Sequence, residues 1–241
     1  MKIINKDNFN KFAYTNIELI KGEAKALIFE FHGLGDGNAM IKEHLKLGRY
    51  FAQYNLVYAI PYYNPWGWMN NKSVRYITEV AEAIFDCCGR ELPIISTGLS
   101  MGGYGALMFS ALSKYTPVSC LAICPVCDLK YHFFEREDTA RTIYDALCED
   151  WGESDCLEFK DYLLGRSPVS LIEKMPDIPY MIFATTADEE VDYQKHSDIF
   201  VKKAKQYGLD VRYIVIPDRA HCDLSTEAVE TLKDFIVNAA K

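Results

Sequence analysis

Short apolar runs alternate along the chain with longer stretches in which apolar residues recur at helical spacing. The short runs are rich in β-branched and aromatic residues and end at glycine, proline or polar positions, which is typical of buried strands. We predict strands at 26–33, 56–61, 93–98, 119–124, 180–186 and 210–217, and a weaker strand at 16–23. The longer stretches predict helices at 39–54, 73–88, 101–113, 192–207 and 226–240. This alternation predicts an α/β fold in which helices cover both faces of a mostly parallel central sheet.

One interval breaks the alternation. Residues 130–178 hold two helical patterns, at about 135–149 and 157–164, and no strand. The interval is too long for an ordinary connection. We interpret it as a helical lid insertion over one end of the sheet, within a single domain spanning 1–241.

Composition and charge narrow the classes of partner. The formal net charge of −8 would repel nucleic acid and anionic lipid. The N-terminal stretch has no apolar core of a signal peptide, and no apolar run is long enough to span a membrane. Eight cysteines, several in apolar stretches, indicate reduced thiols and therefore a cytoplasmic protein. No feature predicts an oligomeric state.

The cysteines do not predict a metal site. Cys124 and Cys127 form a C-x-x-C pair, but no second pair or histidine stands at zinc-finger spacing. We therefore expect neither a metal nor a cofactor.

A candidate nucleophile stands where a predicted strand meets a predicted helix. The stretch Gly98-Leu99-Ser100-Met101-Gly102 has the pattern G-x-S-x-G. In a strand–turn–helix context this pattern marks a strained turn that exposes a serine hydroxyl, and the small neighbours let the helix pass close to the strand. A structural serine in a glycine-rich turn is the alternative.

His221 is the candidate general base that such a serine needs. It follows the last predicted strand, so it can reach the sheet edge at which Ser100 emerges. The other histidines fall in helical patterns, in the insertion or in an early loop: His32, His44, His132 and His196.

Asp188 is the candidate carboxylate that orients the base, because it is the first acidic residue after the strand at 180–186. The competing carboxylates are Glu189, Glu190, Asp192, Asp218 and Asp223. The resulting order of nucleophile, acid and base matches that of α/β-hydrolases.

Backbone amides are expected to form the oxyanion hole. Met101 follows the nucleophile and supplies one donor. The loop 31–37, "FHGLGDG", supplies the other through Leu34, with Gly33 as the alternative, and His32 shapes this loop by hydrogen bonding. A phosphate-binding loop is a weaker interpretation, since the P-loop lysine is missing.

Together these motifs resemble the α/β-hydrolase superfamily over about residues 24–241. "HGLGD" is similar to the oxyanion loop of carboxylesterases and acyl-protein thioesterases, and the stretch around "TTADEEVD" is similar to that of prolyl-oligopeptidase-like esterases. The acid loop of that group reads G-x-x-D-x-x-V-P. Here Thr185 replaces the glycine and Asp192 the proline, while Asp188 and Val191 keep their places.

Aromatic residues in two places are candidates for substrate contacts. The loop 62–71 contains Trp66 and Trp68, which could bind a ring or serve core packing alone. Phe133 and Phe134 open the insertion and could shape an acyl pocket. We therefore predict a serine esterase acting on a small-molecule ester, with a sugar or aryl group in its substrate. The alternatives are an acyl thioesterase, a small peptidase or a non-catalytic binding protein of the same fold.

Overall fold

A mostly parallel sheet organises the computed structural model, which describes residues 3–35 and 45–241. In this part of the chain the sheet has seven strands in the order β1-β3-β2-β4-β5-β6-β7. The strands are β1 (Ala13–Thr15), β2 (Ala26–Phe31), β3 (Leu56–Pro61), β4 (Ile94–Leu99), β5 (Ser119–Ile123), β6 (Tyr180–Thr185) and β7 (Val211–Ile216). β1 pairs antiparallel with β3, and every other pairing is parallel.

Helices connect the strands. Over the described residues they are α1 (Lys46–Ala52), α2 (Asn71–Cys88), α3 (Met101–Leu112), α4 (Leu129–Glu135), α5 (Glu137–Gly152), α6 (Phe159–Gly165), α7 (Ser197–Tyr207) and α8 (Thr226–Ala239). None of them is long and apolar enough to cross a bilayer.

Both faces of the sheet are buried, as the predicted α/β class requires. Successive strand residues point to opposite faces. Phe29 and Phe31 therefore pack into one apolar cluster with Phe109 of α3, while Ile28 packs into the other with Ile236 of α8. This two-sided burial explains why the strands read as continuous apolar runs.

The weak strand predicted at 16–23 is wrong. The chain leaves the sheet after Thr15 and forms a short 3-10 helix at Ile17–Leu19. The cause is the buried Asn16, whose side-chain oxygen accepts a 2.7 Å hydrogen bond from the Tyr58 amide and whose amide donates to the Gly48 carbonyl. The Asn16 side chain thus makes hydrogen bonds to backbone groups that the main chain of a longer strand would otherwise make.

Other boundaries differ by a few residues. The helix predicted at 192–207 begins at Ser197, because residues 192–196 form a turn in which the amides of Lys195 and His196 donate to the Asp192 carbonyl. Of the helix predicted at 39–54, the positions 39–44, including His44, lie outside the described residues. Between β5 and β6 the chain forms α5 and α6, close to the two helices predicted there, and also α4 and two short 3-10 helices that the sequence did not predict.

The turn between β4 and α3 depends on a close backbone approach. A Cβ atom on Gly102 would collide with the carbonyl oxygen of Phe31, the last residue of β2. At Gly105, three residues further along the same helix, the nearest atoms would lie at an ordinary contact distance of 3.4 Å.

We therefore expect Gly102→Ala to lower the free energy of unfolding by about 1–3 kcal/mol, since overpacking must displace β2 or α3. Gly105→Ala is the matched control and should be neutral or stabilising by up to about 1 kcal/mol, because alanine favours the helix. Urea unfolding of the two variants measures the difference. Equal losses in both would show that the close approach is not the cause.

Candidate active site

Ser100 occupies a strained turn at the carboxyl end of β4. Its backbone has φ 57° and ψ −123°, a conformation that side-chain-bearing residues rarely adopt. Its amide donates to the carbonyl of Ile123 at 2.8 Å, and its carbonyl accepts from the amide of Tyr104. These two bonds hold the turn that joins β4 directly to α3.

Asp188 and His221 form a direct hydrogen bond. Nδ1–H of His221 donates to Oδ2 of Asp188 at 2.7 Å, and the Asp188 side chain is only 1% exposed. The other carboxylate oxygen accepts from the amides of Glu190 and Val191, each at 2.9 Å. The carboxylate therefore fixes the imidazole with Nδ1 protonated and leaves Nε2 free to accept a proton.

The competing acid Asp192 has a different partner. Its carboxylate accepts a hydrogen bond from the Gln194 amide at 2.9 Å. The geometry thus pairs His221 with Asp188, the carboxylate that keeps its place in the pattern of the resemblance.

The pair shifts the pKa values of both members. Burial alone would lower the pKa of His221, but the hydrogen bond and charge of Asp188 raise it above its usual 6.5. Burial alone would raise the pKa of Asp188, but the hydrogen bonds from His221 and the Val191 amide lower it. The carboxylate therefore stays ionised at neutral pH, and the imidazole is a stronger base than a free one.

Ser100 and His221 face one pocket of about 300 Å³. Within the described chain no hydrogen bond joins the Ser100 hydroxyl to His221, whose Nε2 lies 3.5 Å from the thiol of Cys222. Catalytic hydrogen bonds are often long without substrate and shorten when it binds. The structure thus brings the candidate nucleophile and the candidate base to one pocket and joins the base to the candidate acid.

Residues predicted for the oxyanion hole also line this pocket. Met101 is the first residue of α3, where backbone amides have no partner within the helix. Gly33 and Leu34 line the pocket as well. Behind them, His32 Nδ1 lies 2.9 Å from the Gly33 carbonyl oxygen, and the ring stacks on Tyr63 at 4.2 Å. His32 therefore supports the loop, of which positions 36 and 37 lie outside the described residues.

The aromatic candidates separate into two groups. Trp68 lines the pocket, although only 1% of its surface is exposed, and its Nε1–H donates to the Thr142 hydroxyl at 3.0 Å. Trp66, Phe133 and Phe134 are not among the residues around this pocket. Trp66 is 46% exposed and Phe134 59% exposed.

The helical interval instead brings His132, Arg136 and Thr139 to the pocket, although no pattern in the sequence marked them as site residues. Arg136 donates to the carbonyl oxygens of Glu189 and Glu190, each at 2.9 Å, and forms an ion pair with the Glu190 carboxylate at 2.5 Å. It therefore ties the junction of α4 and α5 to the loop that carries Asp188. The sequence around Arg136 is rich in charged residues, so nothing in it predicted that this arginine would contact the loop of Asp188.

Two other histidines near the site are unsuited to be bases. Burial lowers the pKa of His132 to about 3 and that of His196 to about 4. Nδ1 of His196 accepts hydrogen bonds from the amides of Cys127 and Asp128, each at 3.2 Å. Both rings stay neutral at pH 7, and His196 uses a lone pair for these structural bonds.

Two thiols flank the imidazole. Cys124 follows β5 and Cys222 follows His221, and both have positive φ, at 44° and 58°. Hydrogen bonding between the two thiols is the main cause that lowers the pKa of Cys124 to about 7 and raises that of Cys222. All eight cysteines of the chain are free thiols.

Solved structures share this fold. A puromycin-hydrolyzing peptidase from Mycobacterium tuberculosis superposes with a TM-score of 0.72 at 16% identity, over 91% of this chain and 34% of that one. Esterase B from Lactobacillus rhamnosis gives a TM-score of 0.68 at 11% identity, over 92% of this chain and 79% of that one. Dipeptidyl peptidase 4 from Porphyromonas gingivalis gives a TM-score of 0.68 at 15% identity, over 95% of this chain and 33% of that one.

These likenesses define the fold. The chain has the α/β-hydrolase fold, which confirms the resemblance found in its motifs at the level of architecture. It spans about a third of the length of the peptidases that it resembles. No family model and no curated protein matches its sequence.

The raised pKa of His221 can be measured without any substrate. We expect its imidazole to titrate above pH 6.5 in an NMR titration, and to titrate at lower pH in Asp188→Asn, since that change removes the stabilising charge. Asp192→Asn, in the same loop, is the control and should leave the pKa of His221 unchanged. His132 and His196 should not titrate between about pH 5 and 8. An unchanged His221 in Asp188→Asn would contradict the pairing.

Proposed function

We propose that this chain is a serine hydrolase that cleaves a small carboxylic ester through an acyl-enzyme. The observation that carries the proposal is the 2.7 Å bond from His221 to the buried Asp188, beside a strained Ser100 on the same pocket. A backbone in so unfavourable a conformation persists only where the surroundings hold it, and such positions cluster at active sites.

In the proposed reaction Ser100 Oγ attacks the ester carbonyl while His221 Nε2 takes its proton. The amides of Met101 and Leu34 stabilise the resulting oxyanion. His221 then gives the proton to the departing alcohol, leaving the acyl group on Ser100. Water, deprotonated by the same nitrogen, releases the acid and restores the serine. Asp188 stays ionised throughout, and no cofactor takes part.

The pocket favours a small substrate. Its volume of about 300 Å³ lies at the low end of ligand sites, and its walls are mostly apolar. The indole of Trp68 supports a ring in the substrate, either a sugar alcohol or an aryl acyl group. An amide or thioester bond would meet the same machinery. A peptidase is therefore the second candidate, favoured by the peptidases among the similar structures.

The remaining alternative is a non-catalytic binding protein. A fluorophosphonate probe distinguishes it from an enzyme, because the probe reacts only with an activated serine. The eight free thiols support the cytoplasm as the proposed location.

Replacing the nucleophile should abolish turnover. We expect Ser100→Ala to lose on the order of 10^4-fold in kcat for a nitrophenyl ester, and to lose labelling by the probe, because triad members act as a unit. Asp188→Asn should lose up to about 10^4-fold, because the amide favours the wrong imidazole tautomer. Asp192→Asn is the matched control and should retain activity. Substantial turnover by Ser100→Ala would refute the assignment.

The pH profile depends on the raised pKa of His221. Only the neutral imidazole is a base, so kcat/KM should fall as pH decreases through a value above 6.5. Initial rates on the same nitrophenyl ester measure the profile. A profile that stays flat between about pH 5 and 8 would contradict a role for this imidazole as the base.

Trp68 should affect ringed esters selectively. We expect Trp68→Phe to lose on the order of 1 kcal/mol, about fivefold in kcat/KM, on an aryl ester relative to an acetyl ester. Thr142→Val removes the partner of the indole N–H without touching the ring, and Phe134→Ala alters an exposed ring away from the pocket. Neither control should change the preference. Equal losses of kcat/KM on both esters in Trp68→Phe would show that the Trp68 ring contributes to folding and not to substrate preference.

A further inference from the structure

Three soft ligand atoms converge beside the nucleophile. The thiol sulfurs of Cys124 and Cys222 and a ring nitrogen of His221 all lie within 4.8 Å of one another. The three residues come from the loops after β5 and β7, which neighbour β6 on either side. The proposed reaction uses only the histidine and leaves both thiols without a role.

We propose that Cys124, His221 and Cys222 form a binding site for Zn²⁺ or a similar soft divalent cation, and that its occupation switches the hydrolase off. Two thiolates and one imidazole are a ligand set that zinc takes when a fourth position stays open to water or another ligand.

The spacing fits a tetrahedral ion. Zinc binds sulfur at about 2.3 Å and histidine nitrogen at about 2.0–2.1 Å, so tetrahedral angles place these two ligand atoms about 3.6 Å apart. His221 Nε2 and Cys222 Sγ lie 3.5 Å apart. The second thiol needs only a small side-chain adjustment, since all three atoms already fall within 4.8 Å.

Outer contacts orient the ligands. Metal-bound histidines usually donate their other ring N–H to a carboxylate, which fixes the tautomer and raises the basicity of the ligating nitrogen. Asp188 does this for His221 at 2.7 Å. The Thr185 hydroxyl lies 3.3 Å from Cys124 Sγ. Thr185 stands where the pattern of the resemblance has glycine, which offers no such contact.

Binding involves no oxidation or reduction. Zn²⁺ takes the lone pair of Nε2 and one pair from each thiolate, and the two thiol protons leave to solvent. The ion and the two thiolates then carry no net charge, which suits a site where Cys124 is buried and the His221 side chain is 21% exposed.

The inhibitory consequence rests on the proposed function, whereas the binding does not. An occupied Nε2 can no longer accept the proton of Ser100, so the acyl-enzyme cannot form. Of the three ligands, His221 lines the pocket, together with Ser100.

The site shares only Cys124 with the C-x-x-C pair that the sequence offered. Cys127, the second residue of the C-x-x-C pair, is fully buried and its thiol faces the Pro125 carbonyl. The sequence predicted no metal because no second pair or histidine stands at zinc-finger spacing, whereas Cys124 and the pair His221 and Cys222 are brought together by the fold.

Cobalt binding tests the site without any turnover. We expect reduced, full-length Ser100→Ala to take up one Co²⁺ with a thiolate-to-cobalt charge-transfer band and the visible bands of tetrahedral cobalt, and Zn²⁺ to displace it. The band should disappear in Ser100→Ala/Cys222→Ser and weaken in Ser100→Ala/Cys124→Ser. Ser100→Ala/Cys156→Ser, which alters a thiol outside the cluster, is the control and should keep it.

Thermal melting of each variant shows whether it is folded. If the Cys222→Ser variant does not fold, Cys222→Ala replaces it in the experiment. Absence of the band in folded Ser100→Ala, or an equal loss in the Cys156→Ser control, would overturn the site.

Inhibition is measured on the wild-type chain with any ester that it cleaves. Zn²⁺ should inhibit reversibly, EDTA should restore activity, and Cys222→Ser should raise the inhibitory concentration roughly tenfold or more. Cys156→Ser should leave it unchanged. Inhibition equally strong in Cys222→Ser would overturn the switch. If no ester, thioester or peptide is cleaved, the proposed function fails, and the cobalt spectrum still decides the metal site.

Discussion

The hydrogen bond between Asp188 and His221 sets most of the chemistry available at this site. A carboxylate that is 1% exposed must have its charge compensated, and the amides of Glu190 and Val191 do this together with the imidazole N–H. The same bond selects the tautomer, raises the pKa of His221 and leaves Nε2 facing the thiol of Cys222. A general base and a metal ligand both need these properties, so one contact prepares the imidazole for either role.

The acid loop is in turn held by its neighbours. Arg136 binds the carbonyls of Glu189 and Glu190, and Trp68 bonds to Thr142 of α5. The helical interval therefore meets both the loop that carries Asp188 and the aromatic loop after β3. The bonds of Arg136 are solvent-exposed, and its exposed ion pair with Glu190 contributes about 0–1 kcal/mol. These contacts join the interval to the site without involving the bond between Asp188 and His221.

The features that strand order determines were predictable from the sequence. Ser100, Asp188 and His221 each stand just after a recognisable strand, and parallel strands bring their carboxyl ends to one edge. The 3-10 helix at Ile17–Leu19 was not predictable, because it depends on Asn16 reaching backbone groups far along the chain. The size of Phe133 and Phe134 favoured them as pocket residues, whereas His132, one position earlier on α4, reaches the pocket. Which side of a short helix faces a pocket is decided by packing that local periodicity does not encode.

The two proposed uses of His221 exclude each other, so substrate and metal compete for the same site. Nε2 has one lone pair, which either accepts the proton of Ser100 or binds a cation. An acyl group on Ser100 would occupy the open side of the pocket and hinder the ion from the same side. The coupling between the two ligands is reciprocal. If bound metal lowers the affinity for substrate by some factor, bound substrate lowers the affinity for the metal by the same factor. Substrate would therefore protect the enzyme from the metal, and the metal would act mainly on the resting enzyme.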